Sequence, residues 1–130
     1  YYDSITTKLT IRIKHAPPKV LKKLTVAIDA GHGGNNSGAA GNISGKLEKN
    51  LTLVYALALE KELKKAGLKN IFMTRTNDTS LSMPERISML KEAKPDLLIS
   101  IHFNSSSVDT VNGTSTFYRY VGLQNAGNHF

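Results

Sequence analysis

The apolar run in "VAIDAGHGG", residues 26–34, ends in an imidazole set among three glycines. A tight turn needs no ring there, and a phosphate cradle works through backbone N–H groups rather than a side chain. The residue type that explains His32 is a metal ligand. The chain has no cysteine, so thiolate zinc sites and disulfides are excluded and any metal must be held by His and carboxylate. Two partners stand out. His102 closes the apolar run "DLLISIH", and Glu48 lies in "GKLEKN". His, Glu and His make a three-ligand zinc set with positions left open for water, the pattern of a catalytic rather than a structural zinc. Each residue also has a plainer role. His32 can fill a glycine turn, His102 can be a hydrogen-bonded core histidine, and Glu48 can simply favour a helix N-terminus through the dipole. His15 and His129 have no comparable setting and read as surface residues.

The elements that must bring the three together follow from periodicity. From residue 24 the pattern runs strand, helix, strand, helix, strand, strand. "LTVAIDA" is apolar on both faces, as in a central parallel strand. Residues 47–66 make the strongest helix, with Leu47, Leu51, Val54 and Ala58 on one face and Leu53 and Leu57 beside it. A Glu60–Lys64 pair supports that helix and Gly67 stops it. "IFMTR" is a second strand. Ser82 and Glu85 form a capping box for a helix to about Ala93, ahead of Pro95. "DLLISIH" reads as a third buried strand and "TSTFYRY" as a fourth. Alternation of this kind predicts an α/β fold, a single mostly parallel twisted sheet flanked by helices with right-handed crossovers. Ligands bind outside the carboxyl ends of strands in such sheets. His32 and His102 both fall at that edge, and a helix starting near the first strand's loop adds Glu48 from its first turn.

The same residues resemble a known family. "TVAIDAGHGG", "LEKNLTL", "MTRTNDTSLSMPER", "DLLISIHFNSS" and "GTSTFY", in this order over residues 24–120, are similar to the zinc-dependent N-acetylmuramoyl-L-alanine amidases of bacterial cell-wall turnover, the type-3 amidases. The resemblance implies Zn2+ on His32, Glu48 and His102. It implies peptidoglycan as substrate, cut between the lactyl group of N-acetylmuramic acid and L-alanine. The expected place of action is extracytoplasmic, as a secreted, autolysin-type cell-wall hydrolase with or without an activator protein. Arg75, Asp78 and Arg86 match the family's pattern and read as a surface ion-pair network that steadies the loop before the second helix. Asn104 and Ser105 stand close enough to His102 to touch substrate, or to serve only its turn. Asp29 can orient a ligand from behind or hydrogen-bond the glycine turn's backbone.

One part of the family pattern is absent. The resemblance calls for a general-base glutamate on a late strand, yet the only acid after His102 is Asp109, in the polar stretch "SSSVDTVNG". The base is therefore expected beyond Phe130, with "VGLQNAGNHF" as the start of a further helix and the domain C-terminally incomplete. The alternatives are a catalytically silent domain that binds cell wall or a partner, and a different metal hydrolase on an α/β sheet.

The rest of the chain sets limits. At 130 residues with 40% hydrophobic content it can bury one main core. No apolar run reaches the length of a membrane span. Six basic residues and one acid fall in residues 1–23, a surplus of +5, against eleven and nine in 24–130, only +2. That basic flank coincides with no interleaved aromatics, which argues against nucleic acid. "TTKLTIRIK" alternates as an amphipathic strand, so residues 1–16 are expected to be an N-terminal strand, as the end of a preceding β domain or an edge of the main sheet. Residues 17–23, opened by Pro17 and Pro18, read as linker, and 24–130 as the catalytic domain. A first residue of Tyr and no visible signal peptide suggest a mature product or an excised piece. The glycines are not spaced as G-x-G-x-x-G, and no Lys-Ser/Thr follows, so a nucleotide loop is weakly supported.

Overall fold

The structure, a computed structural model, describes residues 2–3, 8–9, 20–106, 108 and 113–118. Its centre is a three-stranded parallel sheet. Strand β3 (Thr25–Ala30) lies between β4 (Asn70–Met73) and β5 (Leu97–Ile101), so the strand order is β4-β3-β5. Val26 pairs with both Ile71 and Leu97, and Ala30 with Ile101. Two strands earlier in the chain, β1 (Tyr2–Asp3) and β2 (Lys8–Leu9), pair antiparallel with each other. Of the predicted strand "TTKLTIRIK" only Lys8 and Leu9 are described. His15, Asp109, His129 and the predicted helix "VGLQNAGNHF" lie outside the described residues.

Alternation along β3 sends Val26, Ile28 and Ala30 to one face and Ala27 and Asp29 to the other. The first face meets helix α1 (Glu48–Lys65), and the core is Val26, Ile28, Ala30, Ala56 and Leu68, flanked by Leu59, Leu63, Ile71, Met73, Ile99 and Ile101. The helix ends where Gly67 predicts. Gly67 takes φ +92°, its N–H reaches Lys64 O and Leu68 N–H reaches Leu63 O, which closes a Schellman motif and buries Leu68. Helix α2 (Met83–Ala93) starts at the predicted capping box, with Ser82 and Glu85 satisfying each other's backbone N–H groups. It meets the opposite face of the sheet through Arg86, which grips Asp29. The described residues contain no helix long and apolar enough to cross a membrane.

Three expectations are corrected. The inward stripe of α1 is Glu48, Thr52, Ala56, Leu59 and Leu63, while Val54, Leu57 and Ala58 face outward. An apolar residue count cannot tell that Thr52 outranks Val54. Thr52 turns inward because its hydroxyl donates to Gly31 O at 2.7 Å, a buried polar bond that offsets the cost of burying an alcohol. Strand β5 is not buried on both faces. Leu97 and Leu98 are each nearly half exposed, because β5 has a strand neighbour on only one side among the described residues. Residues 114–118 of the predicted strand "TSTFYRY" carry no strand, and Phe117 and Tyr118 are exposed. A strand needs a partner ladder, and this segment pairs with none of the described strands, leaving the outer edge of β5 open among them.

Candidate metal centre

Strand β3 runs into residues 31–34, where the chain turns sharply. His32 itself adopts φ +62°, a left-handed conformation uncommon outside glycine, and Gly33 and Gly34 follow at +125° and +56°. Two buried guanidiniums hold this turn. Arg75 donates from Nε to Ala30 O at 2.9 Å and from Nη2 to Gly31 O at 2.8 Å, while Arg86 donates to Ala30 O at 2.9 Å and to His32 O. Three consecutive carbonyls are thus clamped from behind the turn. The expectation of a surface ion-pair network is corrected here. Arg75 and Arg86 are only 4% and 5% exposed and act mainly on backbone oxygen, because the chain leaving β3 has carbonyls that no further strand pairing satisfies. Burial, and then the neighbouring charge of Arg86, lower the Arg75 pKa.

Asp29 touches neither a histidine ring nor the turn's N–H groups. Its carboxylate accepts from Thr74 Oγ1 at 2.7 Å, Ser100 Oγ at 2.8 Å and Arg86, so it links the turn to β5 and α2 rather than to the cluster. Burial alone would raise its pKa, but these hydrogen bonds and the Arg86 charge outweigh it and hold the group below the ordinary carboxylate value. Asp78 is the outermost member. It accepts from Gly34 N–H and from Lys49 Nζ, both at 2.7 Å, and Lys49 also reaches Gly34 O.

Glu48 is the first residue of α1 and opens the same inward stripe as Thr52 and Ala56, one turn apart each. That placement brings its carboxylate beneath the turn. Its Oε2 accepts from Ala39 N–H at 2.9 Å and its Oε1 from Phe103 N–H at 2.7 Å. Burial would raise its pKa. The two backbone N–H groups, with His32 and His102, more than reverse that and keep it an acceptor. His102 follows β5 directly, as alternation and strand length predict.

The three groups meet. His32 Nε2 lies 3.1 Å from Glu48 Oε2, His102 Nδ1 lies 3.3 Å from Glu48 Oε1, and the two ring nitrogens are 3.2 Å apart. No other group of three or more His or acidic side chains comes together in this way among the described residues. The two Glu48 distances run to different carboxylate oxygens; taking one ligand atom from each residue, the three lie within 4.8 Å of one another, close enough to converge on a single ion. Borderline-soft nitrogen and one carboxylate also suit zinc better than calcium or magnesium, which favour all-oxygen shells.

Room for the cluster depends on two glycines. A Cβ on Gly31 would collide with the His102 ring, 2.5 Å from its Nε2, and one on Gly38 would stand 2.7 Å from both Glu48 Oε2 and His32 Cδ2. The cleft over the cluster is bordered by Gly38, Ala39, Phe103, Asn104 and Ser105, so both residues proposed near substrate are at its wall. It opens into a groove of about 580 Å³ with Ala40, Ile43, Leu51 and Val108 among its walls and Lys46 at its side. Sequence reasoning missed Thr52, Lys49, Asn36 and the N–H groups of Ala39 and Phe103. The spacing of Glu48 and Thr52 by four was a usable signal for the first; the others depend on chain paths that spacing does not report.

The sequence profile of the N-acetylmuramoyl-L-alanine amidase family matches residues 26–129. The chain belongs to that family. It is 46% identical over 94 residues to a putative N-acetylmuramoyl-L-alanine amidase of Buchnera aphidicola, covering 72% of this chain and 39% of that one. It is 36% identical over 115 residues to the amidase LytC of Bacillus subtilis, covering 88% of this chain and 22% of LytC. Among solved structures, the catalytic domain of the amidase CwlV from Paenibacillus polymyxa superimposes with a TM-score of 0.63 at 39% identity, over 68% of this chain and 49% of that one. The chain therefore spans less than half the length of these relatives.

Proposed function

We propose that these residues form the metal-binding part of a zinc-dependent N-acetylmuramoyl-L-alanine amidase, which hydrolyses the amide between the lactyl group of N-acetylmuramic acid and L-alanine in peptidoglycan. The observation that carries the reading is the meeting of His32 Nε2, Glu48 and His102 Nδ1 at 3.1–3.3 Å, at the carboxyl edge of the sheet, in a chain of this family. The three side chains would hold the ion. When bound there, zinc supplies Lewis acidity for the scissile carbonyl and lowers the pKa of water.

The chain's own groups have separate tasks. Glu48, held by two backbone N–H groups, cannot swing away from the cluster to act as a mobile base, so its role is ligation. Ala39, Phe103, Asn104 and Ser105 wall the approach on the α1 side and position the substrate across the cluster. The groove beyond is lined by apolar residues such as Ile43, Leu51 and Val108 and by small polar ones such as Asn42 and Ser106, with the Lys46 ammonium available to a carboxylate, which suits a short peptide. Glu48 is the only acid bordering the cleft among the described residues, so the proton-accepting glutamate that the family resemblance calls for has no counterpart there. Relatives bear names such as cell wall amidase, which supports action outside the cytoplasm on the wall itself.

The test is a paired measurement on these 130 residues and on the full-length protein, the whole product of the gene that encodes them. Zinc content is measured first, then release of L-alanine amino termini from purified peptidoglycan. One bound zinc and alanine release by the full-length protein is expected. Zinc binding without release by that protein would assign a silent wall-binding domain, and release of other termini would assign a different hydrolase.

A further inference from the structure

The cluster holds its two histidines differently. His102 turns Nδ1 to the centre, and no side chain among the described residues bonds its other nitrogen. His32 turns Nε2 to the centre, and its Nδ1 lies 3.0 Å from Asn36 Oδ1. The same oxygen accepts from Gly38 N–H at 3.2 Å. A backbone N–H can only donate, so the Asn36 atom it meets is the oxygen rather than the amide nitrogen. An oxygen that already accepts can face His32 Nδ1 only if that nitrogen carries the ring proton. The opposite arrangement would place two acceptors 3.0 Å apart.

We infer that Asn36 is a positioning residue, which keeps the proton of the neutral His32 ring on Nδ1 and leaves the Nε2 lone pair directed at the metal. The inference rests on the metal reading of the cluster and deepens it. Asn36 is well placed for the task because its backbone is locked to the turn it serves. Gly33 N–H donates to Asn36 O at 2.9 Å, and Asn36 N–H returns a bond to Gly33 O at 3.0 Å. The Asn36 side chain then reaches back across the Gly33–Asn36 turn to His32, four positions earlier, so ring orientation and proton position are set by one short loop. Outer partners of metal-bound histidines are typically worth 10–100-fold in affinity. Asn36 is exposed and water competes for His32 Nδ1, which places its effect near about tenfold. A carboxylate at the same position is a stronger acceptor and should tighten binding.

The experiment compares zinc affinity by competition with a chelating dye in the wild type, Asn36→Leu, Asn36→Asp and the loop control Asn35→Ala, with nitrogen-15 correlation spectra of the His32 ring. Expected are affinity about tenfold weaker in Asn36→Leu, equal or tighter in Asn36→Asp and unchanged in Asn35→Ala. The ring proton should sit on Nδ1 in the zinc-free wild type at alkaline pH. Wild-type affinity in Asn36→Leu, a loss in Asn36→Asp as large as in Asn36→Leu, or a ring proton on Nε2 each overturns the inference alone. A wild-type protein that binds no zinc overturns the metal reading and this inference together. Should Asn36→Leu not fold, the wild-type spectrum and Asn36→Asp still decide.

Discussion

Gly31→Ala isolates the packing that makes the cluster possible. Gly31 has an ordinary backbone conformation, so alanine adds a methyl group without straining the chain. Its carbonyl, held by Thr52 and Arg75, and its N–H, bonded to Ile101 O at 3.1 Å, are untouched. The methyl would stand 2.5 Å from His102 Nε2 and 2.7 Å from Nδ1. Contacts of this kind relax to about 3.5 Å, so the ring must retreat by roughly 1 Å. A zinc–nitrogen bond is only about 2.0–2.1 Å long, and a displacement of that size breaks it. Two protein ligands then remain. We expect zinc affinity to fall by roughly 100-fold or more, beyond the range of an outer-partner change, with melting temperature and circular dichroism close to wild type. Dye competition and thermal unfolding measure both. Undiminished zinc affinity in a folded Gly31→Ala protein would refute the placement of His102 over Gly31, and with it the geometry of the cluster.

Four further outcomes follow from the same contacts. Glu48→Gln should weaken zinc binding by roughly 100-fold and also cost about 1–3 kcal/mol of stability, since its amide nitrogen would face the Ala39 or Phe103 N–H; metal analysis beside urea unfolding checks both. Arg86→Met should destabilise the fold by about 3–5 kcal/mol, because it leaves the Asp29 charge buried without its ion partner, and a loss under 1 kcal/mol in urea would show that the clamp is dispensable. The Asp29 pKa is depressed in the folded state, so its contribution is present above about pH 4 and lost as pH falls through the lower folded value. Urea titrations from pH 7 to 2.5 should therefore show a steeper acid decline in the wild type than in Asp29→Asn. Ile28→Ala, at a fully buried position of the central strand, should cost about 2–5 kcal/mol by chemical denaturation.

Much of this molecule is a local matter and was readable along the chain. The periods of β3, α1, α2 and β5, the capping box at Ser82 and the stop at Gly67 are short-range, because hydrogen bonds and side-chain spacing within one element decide them. His32 and His102 at strand ends, and Glu48 in a helix's first turn, follow from the same periods combined with the rule that a parallel sheet exposes its ligands at one edge. What the sequence could not determine concerns pairs far apart in the chain. Whether Thr52 or Val54 faces inward was decided by Gly31 O, 21 residues earlier. Arg75 and Arg86 became buried clamps rather than surface ions because the carbonyls leaving β3 needed donors that only the neighbouring elements could bring. Which nitrogen each histidine offers, Nε2 from His32 and Nδ1 from His102, is set by ring packing against Asn36 and Gly31. Residue spacing carries no information about rotation around a helix axis or a side-chain bond; those are chosen by the polar partners that burial leaves within reach.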